Sequence, residues 1–337
     1  MGSSSSSGAY YLNSGGGTVD FANATISAGI FSQQTGDVHI DSLLVGSTAF
    51  RSASYTFRGG TLDVETVSID ASPTRADAYF RQSGGTLTAT QSIALVGSRA
   101  EFEFSDGSIV TPVIQNEGTL RLVENLPNTT RTIDADFVNS GEIRVESDSA
   151  ILGDNLIFTN TGTVRLQNAA MLDFDGAFDN QGEVIGIGTF GGSDASFVNS
   201  GTIAPGASPG VLTLSGDFTQ TASGMLDMEI GGPTAGEDYD RLHLDNGIHI
   251  LGGTLIVGFI DDFSPSAGAL FQLIVSDNLS GDFDVVTVTG LAPELTYQTR
   301  LENNVYELEV RTIPEPTTML LTLIGLFPLL CRRRRIV

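Results

Sequence analysis

Lysine and tryptophan are both missing from this sequence, cysteine occurs once and histidine three times. The lone Cys331 excludes an intramolecular disulfide. The cysteine count thus gives no sign of an oxidising compartment, and it does not argue against export. Without lysine, every one of the 16 basic residues is arginine, and four of them are Arg332, Arg333, Arg334 and Arg335. Residues 1–331 therefore carry 12 positive against 40 negative formal charges, a net of −28. Such a body is repelled by nucleic acid, anionic membrane surfaces and acidic polysaccharides unless divalent cations intervene, so nucleic-acid binding is set aside. The amino terminus, MGSSSSSGAYYLNSGGG, has neither a basic n-region nor an apolar h-region and is not a secretory signal peptide. It fits Met-Gly-x-x-x-Ser for myristoylation formally. The plainer reading is a flexible Ser/Gly-rich start, or a start inside a longer gene.

What is present in quantity is glycine, 40 residues of it, with frequent Ser, Thr, Asn and Asp. These residues weaken helix interiors and supply turns, which favours β-structure. At 337 residues, core size is not limiting.

Two series of repeats run through the chain. The first comprises FSQQTGDV, YTFRGGTL, FRQSGGTL and FEFSDGSI, beginning at Phe31, Tyr55, Phe80 and Phe102. Each places an aromatic residue five positions before a glycine (Gly36, Gly60, Gly85 and Gly107, spaced by 24, 25 and 22). Gly17, with Leu12 in the aromatic's place, begins the series earlier. The second comprises IQNEGTL, FVNSGEI, FTNTGTV, FDNQGEV and FVNSGTI, with glycines at 118, 141, 162, 182 and 201. From Gly107 to Gly118 the spacing falls to 11, which predicts a shortened or irregular coil. After each glycine apolar and polar residues alternate, as at Leu62, Val64, Val67 and Ile69, the periodicity of a strand with one face inward. A strand–turn unit of about 20 residues buries its face only by stacking on copies of itself. The expected architecture is a right-handed parallel β-helix of roughly ten coils, a rod on the order of 50 Å long. Leucine-rich repeats share the period but not the signature, and an antiparallel sandwich is the structural rival.

Asn116, Asn139, Asn160, Asn180 and Asn199 each stand two places before a repeat glycine. Stacked turns would align them in a ladder, each amide bonding the next coil. Arg121, Arg144 and Arg165 fall three places after the glycine on the outward face, where they read as offsetting Glu142, Glu146 and their neighbours, with an anion-binding stripe as the alternative.

Chemistry is hard to find. His243 and His249 share one parity and lack a third ligand, so no zinc site is expected beside His39 or elsewhere. Asp173 with Asp175, Asp261 with Asp262, and Asp282 with Asp284 allow at most weak surface Ca²⁺ binding and otherwise read as solvated acidic turns. No nucleophile elbow and no phosphate-cradling loop occurs. Paired carboxylates at a defined separation are not apparent either, so no catalytic residue is assigned.

The end of the chain is different. Residues 313–317 read IPEPT, residues 319–331 are apolar save Thr322, Gly325 and Pro328, and the four arginines follow. The apolar run is shorter than the roughly 20 residues of a spanning helix, and the arginines favour the cytoplasmic side. This order, with Pro314, Glu315 and Pro316 ahead of an apolar segment and a basic stop, resembles the PEP-CTERM sorting signal of Gram-negative bacteria. The resemblance implies that a membrane-embedded exosortase cuts near the motif and releases or relocates the protein. It also implies a host that makes exopolysaccharide.

Ahead of the tail, residues 205–210 (PGASPG), the run LTLSGDFTQ, Tyr239-Asp240-Arg241-Leu242 and residues 251–255 (LGGTL) resemble the carboxy-terminal end of autotransporter passenger β-helices. That resemblance implies closing coils and a cap that protects the open edge. The expectation is thus an all-β chain: repeats over 1–204, a capping module over 205–311 and a short transmembrane sorting segment over 312–337. The functional expectation is a non-enzymatic, exported surface or matrix protein. Exosortase and possible exopolysaccharide are its partners, and no cofactor is expected. A glycan-binding or glycan-cleaving β-helix is the alternative.

Overall fold

Where apolar and polar residues alternate, the chain forms short strands whose apolar side turns inward. In the strand Thr61–Asp70, Leu62 and Val64 are buried, Glu65 and Thr66 both face outward, and Val67 and Ile69 are buried again. That break of phase is a corner: one strand assignment passes from one flat face to the next. The structure is a computed structural model describing residues 9–46, 51–71, 76–123, 131–146, 150–153, 155–206 and 209–313. It is an all-β parallel solenoid.

Three ladders of parallel pairing run along it. On the first face Phe31 pairs with Tyr55, then Phe80, Phe102, Leu120, Ile143, Val164, Val184, Ile203, Leu226, Leu255 and Val286. The second face carries Val38, Leu62, Leu87, Ile109, Ile133 and Leu152 in succession. The third carries Ile114, Phe137, Phe158, Phe178, Phe197, Phe218, His249 and Leu279. These side chains fill one continuous core. Each large one, fully buried, contributes about 1.5–3 kcal/mol over leaving it in water.

The two repeat series sit at different corners, a difference invisible in the motifs themselves. In the first series the glycine follows the first face; in the second it follows the third face. The 11-residue step from Gly107 to Gly118 is therefore no coil at all, because the signature changes corner there. Measured on the pairing, Phe102 meets Leu120, 18 residues on. The amino-terminal repeat also shifts: Thr18 pairs with Asp37, so Gly17 matches Gly36, but Tyr10 rather than Leu12 pairs with Phe31.

The aromatic residues change face with the glycines. Phe31, Tyr55 and Phe80 stack at ring separations of 5.0 and 5.1 Å, and Phe102 meets Phe80 edge-to-face at 4.8 Å. The opposite corner column there is aliphatic. Beyond Leu120 the ring column runs along the third face, Phe137–Phe158 at 5.0 Å and Phe158–Phe178 at 4.8 Å, joined from the second face by Phe190 at 4.8 Å from Phe178, while the first face turns aliphatic.

The glycines serve close approach. A Cβ at Gly60 would lie 2.0 Å from the Gly36 carbonyl oxygen, and one at Gly162 would lie 2.1 Å from that of Gly141. Gly60 also adopts φ +87°, which L residues rarely reach.

The parallel ladders pass residues 204 and 205 without interruption. Their end is different. The strands Leu295–Glu302 and Val305–Thr312 form an antiparallel hairpin through Asn303 and Asn304, both left-handed as a tight primed turn requires. Val305–Thr312 then pairs antiparallel along the free edge of Leu270–Ser276 and buries Tyr306, Leu308 and Val310. Among the described residues no helix is long and apolar enough to cross a membrane.

Candidate functional site

Two features were singled out in the sequence, the asparagine column and the sorting tail. The tail residues Pro314, Glu315, Pro316, Arg332, Arg333, Arg334 and Arg335, with the apolar run between them, lie outside the described residues.

The asparagines lie inside the solenoid at the third corner, all buried. Asn116 Nδ2 donates to Asn139 Oδ1 at 2.7 Å, Asn139 to Asn160 at 2.7 Å, Asn160 to Asn180 at 2.7 Å and Asn180 to Asn199 at 2.8 Å. The same nitrogens also donate across the corner, to the carbonyls of Glu142, Thr163, Glu183 and Thr202, at 3.0–3.2 Å. The chain of amides starts where Gly118 N donates to Asn116 Oδ1 at 3.2 Å. It ends on a residue the sequence reading overlooked. Asn199 donates to Gln220 Oε1 at 3.2 Å, and Gln220 Nε2 reaches the Gly252 carbonyl at 3.0 Å. The signal was there, since Phe218-Thr219-Gln220 parallels Phe197-Val198-Asn199, but the turn to Gly224 is two residues longer.

A second polar column occupies the first corner. Gln33 Nε2 donates to the carbonyls of Gly36 and Thr61, both at 2.9 Å, and its Oε1 accepts the Tyr55 hydroxyl at 2.8 Å. Gln82 repeats the donor pattern toward Gly85 and Ser108.

Outside, Arg121, Arg144 and Arg165 stack in register on the first face. Arg121 reaches Glu101 at 3.1 Å, Glu103 at 2.8 Å and Glu146 at 2.9 Å. Glu142 takes Arg144 at 2.7 Å and Arg165 at 3.2 Å. The Arg144 hydrogen bond, above all, holds the Glu142 carboxyl below its ordinary range, against the opposing effect of burial. The stripe is internally neutralised.

The acidic pairs mostly close turns. Asp175 Oδ1 accepts Asp194 N at 3.0 Å, Asp284 Oδ2 accepts Gly253 N at 2.9 Å, and Asp282 Oδ1 accepts Phe283 N and the Tyr306 hydroxyl. Asp261 and Asp262 are consecutive left-handed residues in a turn. Among the described residues no group of three or more His, Cys, Asp or Glu is disposed to hold a metal ion. His243 and His249 do not meet. His243 lies on the outward side of the second face beside Thr213, whereas His249 is buried in the third-face column between Phe218 and Leu279. The Nε2 of His249 lies 3.1 Å from the Gly216 carbonyl, which only accepts, so the proton sits there and Nδ1 accepts from Ser276 Oγ at 2.6 Å. Burial lowers its pKa.

Asp240, within the Tyr-Asp-x-Leu step, is also buried. Its oxygens accept Gly210 N at 2.9 Å and Glu229 N at 2.7 Å, tying the turn at 209–210 to the strand Met225–Ile230. Burial pushes its carboxyl up to about 7, against the lowering effect of those two donors.

No family model matches the chain, and no curated protein matches it.

Proposed function

We propose that this chain is an exported, non-enzymatic surface or extracellular-matrix protein. The solenoid is the displayed rod, right-handed as the general rule for parallel crossovers favours. The closing hairpin at 295–312 is its cap. The tail is a PEP-CTERM signal that holds the protein transiently in the inner membrane until an exosortase cuts near Pro314, Glu315 and Pro316. The reading is supported most by the combination of a body built for stacking with a tail of that three-part order. Exopolysaccharide is the proposed surrounding, reached by a body of such negative charge only through neutral contacts or bridging cations.

The repeat aromatics favour this role over the glycan-cleaving or glycan-binding alternative. Tyr55, Phe80, Phe102, Phe137, Phe158, Phe178 and Phe197 are core residues and offer no ring platform to a sugar. Expressing the chain in a PEP-CTERM-encoding host, with its exosortase present or deleted, tests the proposal. Loss of the tail and appearance outside the cell only when the exosortase is present supports it; identical mass and location in both hosts overturns it. Incubation with the host's exopolysaccharide, followed by glycan sizing, separates the alternative, since a shortened glycan means catalysis.

A further inference from the structure

The outward side of the third face carries little charge along its described length. From Ser42 and Leu44 to Ser92 and Ala94 its two outward rows hold only neutral residues. Over the rest of the face, to Ile248 and Ile250, the charged positions in the same rows are Asp136, Asp179 and Asp217. Each of these is already engaged locally: Asp136 accepts Ile157 N at 2.8 Å, Asp217 accepts Ile248 N at 2.8 Å and Asp179 accepts Gln181 Nε2 at 2.8 Å. Between them stand large apolar side chains open to solvent, Val138 at 49%, Ile157 at 59%, Val198 at 40% and Ile250 at 43% exposure. Together with Ile248 they make five of the twelve exposed large apolar residues among the described residues, gathered on one flat sheet.

We propose that this face is a self-association surface on which two copies of the chain pack side by side. Three observations select a second copy as the occupant. The first is charge. The outward side of the first face carries Glu101, Glu103, Glu142 and their arginines, and that of the second carries Asp37, Asp63 and Asp134. Two chains with a formal net charge of −24 each meet fewer opposing carboxylates through the third face, whose three aspartates already hold local donors, than through the other two. The second is period. Its rows repeat at the coil rise of about 4.8 Å, and β-branched rows interdigitate best with a partner of the same rise, which another copy supplies. The third is area. Roughly nine coil steps of about 4.8 Å by a strand about 16 Å wide give ~700 Å² per copy, or ~1,400 Å² in all, within the usual range for a specific interface. The inference does not depend on how the tail is processed.

Sedimentation velocity of the full chain, in mild non-ionic detergent, over roughly 1–100 µM tests it, a span suited to a modest interface. The wild type is expected to dimerise. Val138→Glu/Val198→Glu is expected to weaken the dimer by at least about 10-fold, because both charges fall between like-charged copies. Thr56→Glu/Thr189→Glu adds the same charge on the other two faces and is expected to leave the dimer unchanged. Circular dichroism checks folding. If the glutamate pair unfolds, Val138→Thr/Val198→Thr keeps the β-branched shape and is expected to weaken association in the same direction. A wild type that stays monomeric throughout, or a glutamate variant that associates as tightly as wild type, overturns the proposal. The second outcome is also what association through the apolar tail would give. A neutral glycan that binds the monomeric wild type, and is lost in the glutamate variant, would reassign the face to that ligand.

Discussion

Truncating one amide in the middle of the asparagine column measures what the column contributes. In Asn160→Ala, Asn180 Oδ1 loses its donor at 2.7 Å and the Glu183 carbonyl loses its donor at 3.2 Å. Asn139 Nδ2 loses its shortest acceptor and keeps only the Thr163 carbonyl at 3.2 Å and that of Gly141 at 3.4 Å. Asn139 and Asn180 are buried, and the Glu183 carbonyl is partly so. An orphaned buried group costs about 1–3 kcal/mol, and counting Asn180 Oδ1 fully with the other two in part gives an expected loss of about 3–5 kcal/mol. Asn116→Ala at the column's start orphans Asn139 Oδ1, the Glu142 carbonyl and the buried Gly118 N–H, so a loss of similar size is expected there. Asn160→Asp puts a carboxylate without a donor against Asn180 Oδ1 and is expected to be worse than alanine. Urea unfolding followed by circular dichroism gives the ordering. Hydrogen exchange locates the damage, since a stacked array loosens near the altered coil first. A loss under about 0.5 kcal/mol at Asn160 or at Asn116 would refute the reasoning, because the column would then be decorative.

Gly162→Ala drives a methyl to 2.1 Å from the Gly141 carbonyl oxygen, backbone against backbone, and is expected to lower the melting temperature far more than Gly268→Ala, where only φ +90° is unfavourable and nothing lies within 4 Å. Asp240 gives a pH dependence of known sign. Its folded pKa of about 7 lies above the ordinary 3.8, so its stabilisation is complete below about 3.8 and is lost as pH rises to about 7. Urea midpoints between these limits are expected to fall in the wild type, and Asp240→Asn is expected to remove that slope. Arg121→Gln leaves Glu101, Glu103 and Glu146 facing one another and is expected to cost about 1 kcal/mol at low salt, a gap that narrows in high salt because the group is partly exposed. An unchanged gap across salt would mean that the loss is one of packing.

Much of the fold is written in local pattern. Leu62 and Val64, then Val67 and Ile69, show in sequence both the inward alternation and the corner where its phase slips. The glycine spacing gives the coil length because a stacked turn admits no Cβ at that point. What the pattern does not carry is which corner a motif occupies. An aromatic residue shortly before a glycine looks alike on the first face and on the third, and only the pairing of Phe102 with Leu120 and of Ile114 with Phe137 separates them. Shared parity does not put His243 and His249 on one side, since the turn between them reverses which parity faces the core. Gln220 escaped because its longer turn hides the spacing that exposes the asparagines. The neutral third face could not be read at all without the register, for its residues are scattered some 20 positions apart along the chain.

The handover of the aromatic column from one face to another has a mechanical consequence. Ring contacts run without a break from Phe31 to Phe104, and again from Phe137 onward through Phe197, but among the described residues none bridges the coil of Leu120 and Leu122. The amide column begins beside that coil, at Asn116. A rod stretched along its axis loads its coil-to-coil bonds in series, so it parts at the weakest layer. At this seam the load passes from packed rings to polar joints: the backbone ladder, the Asn116–Asn139 amide bond and Arg121, which grips Glu101 and Glu103 on one side and Glu146 on the other.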